Sequence, residues 1–440
     1  MLAFRVFCVV LGVLLTAGPA AAAPADVRIN EVVTTGSVND SIELVNTGTA
    51  AVDLSGWVLK DSSDSSKFRI PAGTTLAAGG FRAFDVHAAF GLGSSDAARL
   101  YRPDGSLADS FRWSTHSAPS WSRCPDGTGA FAAAAVTLGG PNACAAAWPG
   151  GSAVTTADAA NVFGEDLSGL SPDGGALWAV QNSGRLWRLL PGGPGWTPDT
   201  SAGWASGKAL RFPGGSGSPD SEGVTAAAGA VFVASERDAA ASGTSRLSVL
   251  RYDVGGTGTT LTATREWNLT ADLPPVGANL GFEGLTWIPD TALTGLLDES
   301  TGAPYDPARY GPHSGGVFFA GVEGTGMIHG YVLQDSGAFT RVTSFASGLG
   351  TVMELQWEPQ AARLWVVCDD TCHGEHRTMR LGASGRFATT AVYARPSGMP
   401  DFNNEGFAIS DGCVNGVKPV YWADDGNDDG HALRQGTLAC

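Results

Sequence analysis

Four glutamates recur along the second part of the chain, each inside a similar string of residues. Each string begins with polar residues, which are followed by the acid. A glycine or an apolar residue comes directly after the acid, and an apolar run follows. Aligned on the acid, the strings give five positions: Ser168, Glu222, Glu283, Glu354 and Glu405. If each string begins one strand around a common axis, the four carboxylates form a ring, and the serine leaves one side of it open.

Carboxylates that converge in this way repel one another, so some of them must bind protons or cations. Calcium accepts about six to eight oxygen ligands with loose geometry, which suits a ring of carboxylates. The ring therefore predicts a calcium or substrate site. The alternative is that the glutamates accept hydrogen bonds from backbone N–H groups of neighbouring repeats and brace the ring.

A second candidate calcium site lies in an acidic loop near the end of the sequence. Residues 425–430 read Asp-Gly-Asn-Asp-Asp-Gly and fit the first half of an EF-hand loop. The candidate ligands are Asp424, Asp425, Asn427 and Asp429. The twelfth position would be Gly436, which has no carboxylate, so a complete EF-hand is excluded. The loop predicts a single calcium site, with a solvated acidic turn as the alternative.

The sequence has no nucleophile motif of the common hydrolases, such as a Gly-x-Ser-x-Gly elbow between a strand and a helix. If the protein is a hydrolase, metal-activated water is the expected chemistry, with Glu236 or Glu323 as the carboxylate that takes a proton. Three arginines are candidates to bind a phosphate group, and each is alternatively a surface arginine: Arg237, Arg377 and Arg380.

These residues lie in repeats of about four strand-like runs, each roughly 50 to 70 residues long, which is typical of β-propeller blades. In each repeat a second apolar run ends in polar residues, as in residues 231–236. Five blades are favoured, and six would result if an irregular stretch hides another. Residues 152–165 can supply a strand that closes the ring, and an insertion of turn composition spans about residues 289–316.

The composition favours an all-β protein. The chain has 440 residues, with 61 Gly, 24 Pro, 16% charged and 43% hydrophobic residues. Low charge with many apolar residues argues against disorder, and the glycines suit tight turns between strands. The formal net charge of −16 repels phosphate backbones, so nucleic acid is not an expected partner.

Residues 26–144 alternate apolar and polar positions in short runs between turn residues, which predicts a β-sandwich. Three strings in this part resemble the lamin-tail domain, an immunoglobulin-like sandwich: residues 29–32, 42–46 and 53–59. The resemblance implies an accessory or interaction module. Glu31 and Glu43 are candidates to bind a ligand, with edge carboxylates of the sandwich as the alternative.

The second part, residues 152–440, resembles the secreted propellers called esterase-like phytases and, more loosely, the SdiA-regulated propellers. The Glu-Gly repeats carry this resemblance, together with residues 421–427 and 435–438. Family members tend to end in Asp-Asp-Asn, whereas Gly426 is inserted here. The resemblance implies a propeller, calcium, and hydrolysis of a phosphoester or ester. Residues 145–151 are expected to be a linker between the two parts.

Residues 1–25 are expected to be a signal peptide, with Arg5 followed by an apolar run and then small residues. No later apolar stretch is long enough for a membrane span, so a secreted, extracellular protein is predicted. Leaving out Cys8, the even number of cysteines indicates disulfides in an exported chain. Many pairings are open, and neighbourhood in sequence favours Cys124 with Cys144, Cys368 with Cys372, and Cys413 with Cys440.

Two functions are compatible with these patterns. The first is a secreted calcium-dependent hydrolase of small phosphate or carboxylate esters, with the lamin-tail domain attaching it to an extracellular surface or protein partner. The second is a non-catalytic extracellular binding or adhesion protein that uses the same channel. Arginines beside a cation would favour the first, and a channel filled by aromatic side chains without a cationic group would favour the second.

Overall fold

The structure is a computed structural model that describes residues 27–35, 38–116, 120–193 and 195–440. The expected signal peptide lies outside these residues. Within them the regular structure consists of β-strands and short 3-10 turns, with no α-helix, which confirms the all-β prediction. No helix in this part of the chain is long and apolar enough to cross a membrane.

The first part is a two-sheet sandwich. Its strands are β1 (Val27–Val33), β2 (Ser41–Asn46), β3 (Val52–Asp53), β4 (Val58–Lys60), β5 (Phe68–Arg69), β6 (Thr75–Leu76), β7 (Phe81–Asp85), β8 (Asp96–Tyr101), β9 (Leu107–Trp113), β10 (Ser120–Cys124) and β11 (Ala130–Ala134). One sheet has the order β11-β10-β1-β2-β7 and the other β5-β4-β8-β9, while β3 pairs with β6. Alternate residues such as Ile29, Leu44, Leu59 and Leu100 form the apolar core between them.

Two glutamates of the sandwich lie inside it, which corrects their placement at an edge. Glu31 and Glu43 are fully buried. Their carboxylates accept hydrogen bonds from the backbone N–H groups of Thr137 and Gly139, and Asn30 Nδ2 donates to Glu43 at 3.1 Å. Burial raises the pKa of Glu43 to about 7. Both side chains therefore fix the segment that follows β11.

The second part is a β-propeller. Its strands are β12 (Thr155–Thr156), β13 (Leu167–Asp173), β14 (Ala176–Gln181), β15 (Arg185–Gly192), β16 (Gly195–Pro198), β17 (Lys208–Arg211), β18 (Pro219–Ala227), β19 (Ala230–Asp238), β20 (Ser245–Tyr252), β21 (Thr260–Thr262), β22 (Arg265–Asn268), β23 (Phe282–Pro289), β24 (Leu297–Asp298), β25 (Ala303–Pro304), β26 (Gly316–Val322), β27 (Met327–Leu333), β28 (Phe339–Ala346), β29 (Glu354–Glu358), β30 (Arg363–Val367), β31 (His376–Leu381), β32 (Phe387–Tyr393), β33 (Asn404–Ile409), β34 (Val417–Asp424) and β35 (Leu433–Ala439).

Short 3-10 turns join some of these strands. They are Ala239–Ala241, Thr270–Asp272, Asp290–Ala292, Pro307–Arg309, Glu323–Thr325, Pro359–Ala361, Asp370–Cys372 and Asp428–Gly430. The ribbon of β24 and β25 lies within the predicted insertion.

Five sheets, called I to V, follow one another around the propeller. Their strand orders are β13-β14-β15-β17-β21 for I, β18-β19-β20-β22 for II, β23-β26-β27-β28 for III, β29-β30-β31-β32 for IV and β33-β34-β35-β12 for V. Their first strands contact one another in a cycle, from β13 through β18, β23, β29 and β33 back to β13. Strand β12 pairs with β35, so residues 152–165 do supply a closing strand. We call the face at which the first strands begin the mouth face, and the opposite one the far face.

Residues 145–151, expected to be a linker, are bound to the propeller. Ala146 N donates to Val392 O at 2.7 Å, next to the edge of sheet IV. Trp148 Nε1 donates to Thr437 O at 2.8 Å. The Trp148 ring packs between sheets IV and V, among the aromatic side chains of Trp365, His376, Phe407 and Trp422. This tryptophan therefore belongs to the core of the propeller although it precedes the first repeat.

The three favoured disulfide pairings are confirmed. Cys124 is bonded to Cys144, Cys368 to Cys372 and Cys413 to Cys440. The first bond fixes the segment after β11 to β10, the second closes the loop after β30, and the third ties the end of β35 to the turn before β34.

The Trp148 contacts predict a large loss of stability in Trp148→Ala. Removing a buried tryptophan leaves a cavity that costs about 3 to 5 kcal/mol. We expect urea unfolding of the full chain to show a loss of this size in the propeller transition. Trp196→Ala, which removes a half-buried ring at the edge of sheet I, is the control and should lose less. A loss below about 1 kcal/mol for Trp148→Ala would mean that the segment is only loosely attached.

Candidate metal centre

Glycines let the first strands of neighbouring sheets approach closely. A Cβ atom on Gly169, Gly223 or Gly284 would overlap backbone atoms of the next sheet, and one on Gly406 would overlap the carbonyl oxygen of Ser168. In sheets I, II, III and V the first strand has a β-bulge at this position, with one residue more than its partner strand. A bulge re-aims the side chain that it carries, here the residue before each glycine.

Six carboxylates converge at the mouth face. Their oxygens form three overlapping groups, and within each group the atoms lie within 4.8 Å of one another. The groups are Asp220, Glu222 and Glu236; Glu222, Glu283 and Glu405; and Glu236, Glu283 and Glu323. The structure thus brings three of the four ring glutamates together with both candidate proton acceptors.

Asp220 was missed by the sequence analysis. It lies two residues before Glu222 in the same strand, and a spacing of two places side chains on the same side of a strand. That spacing is the signal that could have found it. Arg237 forms an ion pair with Asp220, and its Nη1 donates to Ala278 O at 3.0 Å. This guanidinium brings one positive charge to a group of six carboxylates.

Burial and mutual repulsion disfavour the ionised carboxylates. Burial raises the pKa values of Glu222, Glu283 and Glu405 well above the usual range, and nearby carboxylates raise them further. Burial, followed by repulsion from other acids, raises the pKa of Glu236 to about 7 and that of Glu323 to about 7. The cluster therefore holds protons near neutral pH in the absence of a cation.

Several oxygens at the cluster have no hydrogen-bond donor. Within the described residues, Glu222 Oε2, Glu405 Oε2 and Asp425 Oδ1 are buried without a partner. Glu222 is 3% exposed and Glu405 9% exposed. An unpaired buried carboxylate oxygen is destabilising, and a bound cation would remove that penalty. Hard oxygen ligands with net negative charge fit calcium rather than softer metals.

Glu354, the fourth ring glutamate, has the bracing role instead. It is fully buried, and its carboxylate accepts hydrogen bonds from Leu170 N at 3.0 Å and Leu355 N at 2.8 Å. The backbone N–H groups of Leu285 and Phe407 also interact with it and oppose the rise in pKa that burial causes. One carboxylate thereby joins sheets I, III, IV and V.

A difference in local sequence explains this second role. The other ring glutamates precede glycine, whereas Glu354 precedes Leu355. Strand β29 pairs with β30 without a register shift, so no bulge turns Glu354 toward the mouth face. Its donors in sheets I, III and V are the backbone N–H groups that directly follow Gly169, Gly284 and Gly406. Because these strands are bulged, the N–H groups after the glycines lack regular ladder partners. They are directed at the carboxylate of Glu354 instead.

The acidic loop does not gather its four candidate ligands around one point. Asp424 is fully buried and accepts hydrogen bonds from Gly426 N at 3.1 Å and Asp428 N at 2.9 Å. Arg434 Nη2 forms an ion pair with it at 3.2 Å. Asp429 is exposed and has a φ of 55°. The carboxylate of Asp424 therefore shapes the turn and is paired with Arg434, and its role as a calcium ligand stays a prediction.

The other two loop candidates also separate. Asn427 Nδ2 donates to Asn161 Oδ1 at 3.1 Å, in the segment that precedes β13. Asp425 instead lies beside the carboxylate cluster, because Asn403 Nδ2 donates to both Asp425 Oδ2 and Glu405 Oε1 at 3.2 Å. Burial raises the pKa of Asp425 to about 6. Asp425 is thus the loop residue that extends the cluster.

Two of the three candidate phosphate-binding arginines are engaged elsewhere. Arg377 is buried, and its Nε donates to Glu375 Oε1 at 2.7 Å. Arg380 is exposed and donates to Ala362 O at 3.5 Å, at the far-face end of sheet IV. The structure therefore places only Arg237 of the three at the cluster, since the other two serve sheet IV.

A cleft of about 500 Å³ lies on the mouth face of sheet I. Ser168 is buried and is not among its lining residues, so an open side at Ser168 itself stays a prediction. Asp166, Gln181, Ser183 and Arg185 are among its lining residues. Asp166 connects the cleft to the cluster, since its charge raises the pKa values of both Asp220 and Asp425. Asp166 lies two residues before Ser168, as Asp220 lies two before Glu222, so the repeat pattern contained the signal for it. The cleft could not be identified from that pattern.

The family comparison bears on the first part of the chain. Residues 20–115 match the model of the Lamin Tail Domain, which confirms the resemblance of this part to that family. No curated protein matches the chain.

Solved structures similar to the chain include three enzymes or presumed enzymes. Myxococcus xanthus glutaminyl cyclase is 9% identical over 64% of this chain and 95% of its own, with a TM-score of 0.35. A putative glucose dehydrogenase of Thermus thermophilus is 13% identical over 65% and 99%, with a TM-score of 0.33. A putative 6-phosphogluconolactonase of Bacteroides uniformis is 12% identical over 85% and 98%, with a TM-score of 0.31. At these scores the likenesses support no argument about function.

The two roles of the ring glutamates predict opposite effects of the same substitution. At pH 8 with a chelator, Glu354→Gln should destabilise the propeller by about 1 to 3 kcal/mol, because it replaces one of the oxygens that accept hydrogen bonds from buried N–H groups with an amide nitrogen that cannot accept them. Glu283→Gln should instead stabilise it, because it removes one of several mutually repelling carboxylates. Thermal unfolding of both variants and of the wild type measures whether each substitution lowers or raises the stability of the propeller. Equal losses in both variants would contradict the division into a brace and a cation site.

The raised pKa values predict a pH dependence of stability in the absence of cations. A carboxylate whose pKa is raised by folding stabilises the native state below its unfolded pKa, and this stabilisation is lost as pH rises through the folded pKa. For Glu236 and Glu323, with pKa values of about 7, the melting temperature with chelator should fall from about pH 5 to pH 8. With calcium the fall should be smaller. Identical profiles with calcium and with chelator would count against a cation at the cluster.

Proposed function

We propose that this protein is an exported calcium-binding propeller of the esterase-like phytase type that hydrolyses a small phosphate or carboxylate ester. The observation that carries the proposal is the group of six mouth-face carboxylates in which Glu222 Oε2 and Glu405 Oε2 are buried without a hydrogen-bond partner. Carboxylates arranged in this way must bind protons or a cation, and one divalent cation satisfies several of their oxygens at once.

Glu222, Glu283 and Glu405 would hold the ion, with Glu236, Glu323 and Asp425 around it. Calcium there would supply positive charge to the anionic group of an ester. Glu236 and Glu323, with pKa values of about 7, are suited to accept a proton from water near neutral pH. Gly281 N donates to Glu236, which holds this carboxylate in place and leaves Glu323 as the freer of the two.

The cleft beside Ser168 supplies the access that a substrate needs. It opens on the side where the ring lacks a glutamate, and Asp166 lies between it and the cluster. A substrate in this cleft would present its ester group to the cation site and leave its remaining part against Arg185 and Ser183. Both residues line the cleft.

The ion pair of Arg237 favours a second candidate function, that of a non-catalytic calcium-dependent binding protein. Its guanidinium is already paired with Asp220, and Arg377 and Arg380 are not at the cluster. A phosphate group would therefore have no free guanidinium to bind there. In this second candidate the same cation and cleft would bind an extracellular ligand without turnover.

Export and attachment complete the proposal. Three disulfides are typical of proteins that fold in an oxidising compartment. The lamin-tail part, held to the propeller through residues 145–151, would attach the protein to an extracellular surface or protein partner.

Calorimetric titration of the metal-free full chain with calcium tests the cation site. We expect saturable binding by the wild type, with a loss of at least about tenfold in affinity in Glu222→Gln and in Glu283→Gln, because each removes a charged ligand. Asp429→Asn is the matched control, since it removes an exposed carboxylate of the acidic loop and should bind as the wild type does. Binding that is lost in the control and kept in both cluster variants would move the ion to the loop.

Activity then separates the two candidates. Nitrophenyl phosphate, bis(nitrophenyl) phosphate and nitrophenyl acetate are offered with calcium and with chelator. Calcium-dependent turnover that is lost in Glu323→Gln, while calcium affinity is kept, supports a hydrolase. Calcium binding without turnover of any of the three esters supports the binding protein instead.

A further inference from the structure

A second cleft, of about 350 Å³, lies on the far face between sheets II and III. Its lining residues include Arg251, Arg265, Trp267, His313 and Asp335. The far face is the end of the sheets opposite the carboxylate cluster, since the turn between β18 and β19 and that between β27 and β28 both border this cleft. It is therefore a separate place on the molecule, and nothing in the proposed function uses it.

Two like charges face each other in this cleft. Arg251 and Arg265 are direct partners in the antiparallel pair of β20 and β22, which places both side chains on the same side of the sheet. Like charges in such a position are destabilising. The chain has a net charge of −16, so acidic residues are numerous enough for each arginine to have its own partner. Two arginines that face each other instead indicate that a bound anion supplies part of the negative charge.

The protein neutralises this pair incompletely. Arg251 Nη2 forms an ion pair with Asp253 at 2.9 Å, and Asp253 is 58% exposed. Arg251 Nη1 donates to Thr264 Oγ1 at 3.0 Å. Across the described part of the chain, the Arg265 guanidinium has no hydrogen bond or ion pair, although it borders the cleft. Its five N–H donors are thus available to a ligand.

The rest of the cleft is fixed before a ligand binds. Trp267 is 2% exposed, and its Nε1 donates to Gln334 O at 3.0 Å. The ring nitrogens of His313 lie 2.9 Å from Gly311 O and 3.2 Å from Asp290 Oδ2. These two rings form rigid walls, and Thr264, Ser314 and Asp335 offer hydroxyl and carboxylate groups at the rim.

We infer that this cleft is a binding site for a small phosphate monoester, with Arg265 as the main anion ligand and Arg251 beside it. The planar guanidinium matches two oxygens of a phosphate group, and a dianion relieves the repulsion between the two arginines better than a monoanion does. The volume exceeds that of a phosphate ion and accommodates an attached alcohol. Its hydroxyl groups would meet the hydrogen-bonding groups of Ser314 and Asp335. The site does not depend on the cation at the mouth face.

Calorimetric titration of the metal-free full chain with glycerol 3-phosphate tests the site. We expect saturable binding at one site, weakened at least about tenfold in Arg265→Gln and in Arg251→Gln, because each removes charge-assisted hydrogen bonds. Arg380→Gln is the matched control, since it removes the same charge from an exposed arginine of sheet IV and should bind as the wild type does. Glu283→Gln should also bind normally, because its carboxylate belongs to the other face.

Three further measurements complete the test. Inorganic phosphate should bind more weakly than glycerol 3-phosphate, and acetate weaker still; equal affinity of phosphate and the ester would overturn recognition of the alcohol. Without ligand, Arg265→Gln should melt at or above the wild-type temperature, and its melting temperature should not respond to the ester. No saturable binding at millimolar ester, or an equal loss in Arg380→Gln, would overturn the site.

Discussion

The carboxylate of Glu354 is the interaction on which the propeller depends. It is buried where the first strands of the sheets meet, and backbone N–H groups from sheets I, III, IV and V are directed at it. The N–H groups from sheets I, III and V follow glycines in bulged strands, so they lack the regular partners that an unbroken ladder would give them. Burial raises the pKa of this carboxyl group well above its usual range, and the surrounding N–H donors oppose that rise and satisfy its oxygens. The narrow centre of the ring, and the bulges around it, are therefore compatible only while this acceptor is in place.

The same bulges create the opposite situation at the mouth face. The bulges of sheets II, III and V each direct an acid toward the axis, and there the carboxylates meet one another rather than donors. Glu222 and Glu405 retain unpartnered oxygens, while the oxygens of Glu354, at the aligned position of its own strand, accept hydrogen bonds. One repeated string thus gives a brace in sheet IV and a group of converging carboxylates in sheets II, III and V. The presence or absence of a single glycine after the acid decides between the two outcomes.

Much of this arrangement could be predicted from the sequence, and the rest depends on information that repeats do not carry. The spacing of the acids predicted that Glu222, Glu283 and Glu405 would converge, because equivalent positions of a closed ring face a common axis. The spacing could not predict that Asp424 would accept hydrogen bonds from its own turn and pair with Arg434. A loop with alternating acids has the same sequence pattern whether its carboxylates bind an ion or backbone N–H groups. Arg185 and the far-face pair of arginines lie where the repeats differ from one another, and only the folded chain brings them beside their neighbours.

The closure of the ring has a consequence for how the chain can be divided. Strand β12 covers one side of β35, and Trp148 fills the space between sheets IV and V. A propeller released without residues 145–156 would expose an unpaired strand edge and an empty apolar slot next to each other. Unpaired edges recruit strands from other molecules, so such a fragment would exchange segments with its copies and form swapped dimers or aggregates. The lamin-tail part and the propeller are therefore two folds, but the chain that joins them is inseparable from the second.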